Sequence, residues 1–189
     1  MADNPKPAVL FFDCAYGISG DMTLGALVDL GVPLELLRAE LGKLPIGGYE
    51  LRTRRVERYG TSCRKLDVAL DYSHRDNRYD RALPEVLGML EQSALSPFVR
   101  QRALELLLVA AQAQAAAHKI PLEQVCFHEK GAVDTIVDLV GTAICIQHLA
   151  PARIAATPLS DGRGFIQCRH GAIPVPVPAV REITRRFSI

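Results

Sequence analysis

The sequence predicts an α+β fold, a mixed β-sheet with packed α-helices in a single main domain, and three observations carry that expectation. Strand-like and helical segments are interspersed along the chain rather than segregated. Segments 49–56 and 61–70 flank Glu57-Arg58-Tyr59-Gly60 as the arms of a hairpin, which argues against a purely parallel sheet. Apolar residues recur at helical spacing at Leu83, Val86, Leu87 and Leu90, and again at Val133, Ile136, Val137, Val140 and Ile144.

Taken in order, 8–12 is a short apolar run suited to a buried strand. Segment 21–30 reads as a helix with Leu24, Leu27 and Val28 on one face, capped by Ser19 or Asp21 and stopped by Gly31 and Pro33. A second short helix is expected over 34–41. In 61–70, Arg64, Leu66, Val68 and Leu70 alternate with Cys63, Lys65, Asp67 and Ala69, giving one apolar face. The polar stretch DYSHRDNRYD, 71–80, reads as a mobile loop. Ser96 and Pro97 supply the cap and first position of a long Ala/Leu-rich helix ending near His118. Segments 153–157 and 165–168 read as strands about a turn at 161–164, and the prolines of IPVPVPAV exclude a central strand or helix interior.

Composition narrows the function classes. The 189 residues, 49% of them hydrophobic, can bury a core without staples. A net charge of +1 creates no field for nucleic acid or anionic membrane, and the absence of Trp weakens base stacking, so no nucleic-acid partner is expected. No apolar run has the length of a membrane span, so no membrane partner is expected either. Five cysteines, odd in number and widely spaced, with no secretory pattern at the start, point to a reducing, cytoplasmic setting.

Two stretches carry chemistry. In FFDCAYGISGDM, Asp13 ends a strand, Gly17, Ser19 and Gly20 form a turn, and Asp21 opens a helix. Such a turn offers free amides and a positive helix end to anions, but two carboxylates shift its preference toward a metal, or an anion bridged by one. The plainer alternative is that Asp21 caps the helix and Asp13 bonds only to backbone amides. In CFHEKGAVDTIVD, Asp134 and Asp138 lie four apart on one helix face, a like-charge pair costing about 0.2–0.5 kcal/mol unless something positive sits between them. His128 and Glu129 precede that helix and complete a His/Glu/Asp/Asp cluster fit for a borderline metal or for acid–base work. The alternative is that Glu129 and Asp134 merely complement the helix dipole while His128 bonds a carbonyl. Two Cys-X-His elements, Cys126 with His128 and Cys168 with His170, add soft ligands at a spacing unlike that of a zinc finger.

FDCAYGISGDM, FHEKGAVDTIVD and GFIQCRHGAIPVPVPA, in this order, resemble the amino-terminal region of LarC-type nickel-insertion proteins over roughly 10–180. The resemblance implies a nickel chelatase of the lyase class. Such a protein places nickel into pyridinium-3,5-bisthiocarboxylic acid mononucleotide, making one carbon–nickel and two sulfur–nickel bonds, and consumes CTP in the presence of Mn or Mg. It divides the chain into an amino-terminal domain over 8–180 and a tail, 181–189, leading toward a carboxy-terminal CTP-binding domain that is expected as a partner. Metal ligands are then expected at Asp13, Asp134, Asp138, His128 and His170, and contacts to the nucleotide at Gly17, Ser19, Gly20 and Asp21. Formation of the carbon–nickel bond displaces a ring proton, and His128 or Glu129 is the expected base. Two departures stand out: a histidine-rich run of relatives is reduced here to His74, and the family's His-Phe-His-Glu reads Cys126-Phe127-His128-Glu129. The competing expectation is a non-catalytic module delivering nickel or cofactor to a partner protein, and homo-oligomerisation is compatible with either.

Overall fold

The computed structural model describes residues 9–58, 60–127, 132–168 and 171–185. Among them, six α-helices and eight strands follow in the order β1 (Val9–Phe12), α1 (Gly20–Asp29), α2 (Leu34–Leu41), β2 (Tyr49–Arg58), β3 (Thr61–Leu70), β4 (Arg81–Ala82), α3 (Leu83–Gln92), α4 (Pro97–His118), β5 (Cys126–Phe127), α5 (Val133–Leu149), β6 (Arg153–Ala156), β7 (Gly164–Cys168), β8 (Gly171–Val175) and α6 (Pro178–Thr184). This is an α+β architecture. Parallel and antiparallel pairings both occur, divided among four two-stranded sheets.

Helix α5 is the hub of the core. Its sequence is apolar on nearly every side, and Val133, Ile136, Val137, Val140, Ile144 and Cys145 are all buried. Helices α1, α2 and α4 all pack against it. Glycine allows two of the close approaches: a Cβ added to Gly141 of α5 would meet a Leu24 methyl at 3.0 Å, and one added to Gly25 of α1 would meet the Arg64 carbonyl oxygen of β3 at 2.8 Å. α1 is thereby held between the hairpin and the central helix.

The hairpin forms as the alternation predicts, with Arg58 opposite Thr61 and Leu51 and Leu66 turned into the core. β1 pairs in parallel with β6, Leu10 opposite Ile154. In the proline-bearing segment Pro174 lies in β8, which among the described residues pairs with β7 alone, Pro176 lies between the elements, and Pro178 opens the first turn of α6.

Segment 71–80 departs from the sequence expectation of a mobile loop. It contains a 3-10 turn, Arg75–Asn77, with Asp76 and Asn77 buried. Asp76 accepts a hydrogen bond from the Gly47 amide at 2.9 Å and pairs with buried Arg81 at 3.0 Å, while Asn77 donates to the Gly48 and Asp71 carbonyls. These polar residues face inward because the turn at 45–48 presents backbone groups that need partners.

Candidate functional site

The turn after β1 is built by backbone and hydroxyl groups. The Gly17 amide donates to the Cys14 carbonyl at 3.0 Å, and Gly17 has φ +88, a left-handed conformation that suits glycine. From the other strand of the parallel pair, Thr157 Oγ1 accepts from the Cys14 amide at 2.8 Å, and the Ser160 amide donates to the Cys14 carbonyl at 3.3 Å. The turn therefore lies beyond the carboxyl ends of both parallel strands, where ligands commonly bind in open α/β layers.

Ser19 is the cap of α1: its Oγ accepts from the Met22 amide and its hydroxyl donates to the Asp21 carboxylate. Asp21 thus joins the cap through Ser19. Helix α5 starts at Val133 with no side-chain cap, and Asp134 Oδ1 accepts from the Thr135 amide at 2.7 Å.

Helices α1 and α5 meet in matched steps. Asp138 lies against Gly20, and three or four residues further along each helix Gly141 lies against Leu24. Both helices run away from the site, so their positive amino-terminal ends lie at the same end of the contact. A Cβ built on Gly20 would fall 2.6 Å from the Asp138 Cβ and closer still to its carboxylate. The first motif's turn and the second motif's helix are thus one site.

The site is electrostatically unsatisfied. Burial, followed by the charges of Asp134 and Asp21, pushes the Asp138 carboxyl up to about 7. Its Oδ1 is buried and has no hydrogen-bond partner among the described residues. A carboxyl in that state keeps its proton to a higher pH than an exposed one.

Gly20, Asp21, Asp134 and Asp138 are therefore brought together, with Ser19 and Gly17 in the adjoining turn. Asp13 is placed differently. It is exposed, its Oδ1 accepts from the Ala15 amide at 3.1 Å, and it does not figure among the charges acting on Asp138. His128, Glu129 and His170 lie outside the described residues. Among the described residues no three His, Cys, Asp or Glu side chains form a ready-made metal cage. Gly20 was expected to touch a nucleotide, but its contact with Asp138 has no signal in the sequence. Neither has Thr157, which orients the turn from 143 residues away.

The family described as nickel insertion protein matches residues 10–189. The chain belongs to this family. A nickel insertion relative from Geobacillus kaustophilus, named pyridinium-3,5-bisthiocarboxylic acid mononucleotide nickel insertion protein, is 44% identical across 96% of this chain and 46% of its own length. A relative of the same name from Clostridium kluyveri is 42% identical across 96% of this chain and 48% of its own length. A third, from Citrifermentans bemidjiense, also named for nickel insertion, is 46% identical across 93% of this chain and 45% of its own length. The chain thus spans about half the length of these relatives. No solved structure gives a significant match. No described helix is long and apolar enough to cross a membrane.

Proposed function

We propose that this chain forms the amino-terminal part of a cytoplasmic nickel chelatase that inserts nickel into pyridinium-3,5-bisthiocarboxylic acid mononucleotide. The observation that carries the reading is the seat of Asp138 against Gly20, with Asp134 and Asp21 close enough to act on its charge. Nickel is the substrate metal. Three carboxylates near two helix ends form an oxygen-rich landing point for it, and the unpartnered Asp138 oxygen is the atom most in need of a cation. The amides of the Gly17–Gly20 turn and the start of α1 suit the phosphate of the mononucleotide. Breaking the ring carbon–hydrogen bond releases a proton as the carbon–nickel bond forms, and His128 or Glu129 of the second motif is the base that takes it. CTP with Mn or Mg belongs, in this proposal, to the carboxy-terminal domain that works with this one. His170 and Asp13 join as further ligands only if the substrate draws them in.

A second reading, a non-catalytic module that hands nickel or nucleotide to a partner, is favoured by one observation: the described donors form no complete metal cage. One experiment addresses both. The chain is dialysed anaerobically against limiting nickel with excess magnesium, and bound metal is counted by mass spectrometry beside an Asp134→Asn, Asp138→Asn double variant. Stoichiometric nickel lost in the variant supports the carboxylate site. Equal nickel in both proteins, or none in either, removes it.

A further inference from the structure

Among the described residues, β1–β6 is the parallel pair of the fold, and it is left incomplete. Parallel sheets occur almost only with both faces covered, because their strands are apolar on both sides. Here β1 covers only one face: Leu10 joins the core and Phe12 packs against it, while Val9 and Phe11 point the other way and are 51% and 59% exposed. On β6, Ile154 shares the face of Leu10 by register yet remains 47% exposed. Among the described residues neither strand is paired on its outer edge, which leaves two rows of backbone donors and acceptors open. The turn that follows β1 continues the apolar surface, with Tyr16, Ile18 and Met22 all exposed.

The antiparallel β7–β8 pair is exposed as well, at Phe165 and Ile166, but it joins neighbouring strands and lies apart from the turn after β1. β2 and β3 form a long hairpin packed on α1, and the β4–β5 pair is two residues long. β1 and β6 are strands far apart in sequence, joined in a two-stranded parallel sheet whose Val9, Phe11 and Ile154 side chains are exposed. The relatives that share this half are about twice as long as the matched stretch.

We propose that the part of the family's polypeptide lying outside the matched half docks on the β1–β6 pair. It adds an extended strand to a free edge and apolar side chains over Val9 and Phe11. Main-chain pairing of this kind gives affinity, and alternate side chains give specificity. The same docking covers the exposed turn beside Asp138 and so screens the acidic site from water. The inference rests on family membership and not on nickel chemistry, so it can fail while the proposed function stands, and the reverse.

Hydrogen–deuterium exchange tests it, on this chain and on the full-length Geobacillus kaustophilus protein. Rates in the strands matching Val9–Phe12 and Arg153–Ala156 are divided by those of the β2–β3 hairpin, which corrects for any difference in overall stability. The full-length protein is expected to show relative exchange in these strands slower by about tenfold or more. Equal relative rates in the two proteins overturn the proposal. Slowing in this chain as its concentration rises, with a doubled mass by light scattering, also overturns it, because a second copy would then be the occupant.

Discussion

The Asp138 side chain occupies the space that a Cβ on Gly20 would fill. Gly20 is the first residue of α1 and has no left-handed φ, so nothing in its backbone requires glycine. Replacement by alanine would ordinarily favour a helix, by up to about 1 kcal/mol. Here Gly20→Ala is expected to destabilise the protein by about 1–3 kcal/mol, since the carboxylate must be displaced from a packed position. In an Asp138→Ala background the same change becomes neutral or stabilising. Urea denaturation of the four proteins of that cycle measures the coupling directly.

Asp138 also sets a pH dependence. Its folded-state value of about 7 lies above its ordinary value of 3.8, so the unfolded chain gives up the proton first. The folded state therefore loses relative stability as pH rises from about 4 to about 7, and the whole penalty is present above that range. Asp138→Asn removes it. The variant is expected to gain about 1–2 kcal/mol at pH 8, a figure already reduced for the partial exposure of the group, and to gain little at pH 4. Thermal or urea unfolding at both pH values, without metal, checks the sign.

Asp76 and Arg81 make the buried ion pair that fixes segment 71–80 to the turn at 45–48. Removing one partner leaves the other charge buried with lesser company, Glu85 beside Arg81 or Arg75 and His74 near Asp76. Asp76→Ala and Arg81→Ala are each expected to cost about 3–5 kcal/mol, and the double variant less than the sum of the two. Denaturant midpoints supply the comparison, and a loss below 1 kcal/mol in either single variant would show that the pair does not hold the turn.

The thiols are expected to divide by burial. Cys14 and Cys145 are buried, and burial pushes the Cys145 thiol up to about 12, whereas Cys63 and Cys126 are partly exposed. Brief treatment of the native protein with an alkylating reagent should label Cys63 and Cys126 before Cys14 and Cys145. Peptide mapping by mass spectrometry reads the order.

Much of the secondary structure was legible because its signals are local. Ser96 and Pro97 announce the start of α4, and the observed helix runs from Pro97 to His118 as read. The stripe from Val133 to Ile144 becomes the buried face of α5, and Ser19 caps α1. Segment 71–80 misled for an equally physical reason. Its polarity is spent on backbone groups of 47 and 48, partners about 29 residues away that no window on the sequence contains. The candidate site was legible in part. Helical spacing placed Asp134 and Asp138 on one face, and the turn motif was visible as a turn.

By itself, then, the sequence determined α1 to α5, the hairpin, the two acidic motifs and the family, because periodicity, caps and motif order are written in neighbouring residues, while α6 carried no such signal. Only the tertiary structure decided that Asp138 of the second motif lies against Gly20 of the first, that Asp13 turns to its own backbone while the charge of Asp21 acts on Asp138, and that β1 pairs with β6. Those outcomes depend on which apolar faces bury together around α5. Gly141 sets how closely Leu24, and with it Gly20, can approach that helix. Packing is a property of the whole chain, and it is packing that buries the Asp138 carboxyl against Gly20 and pushes its proton affinity up.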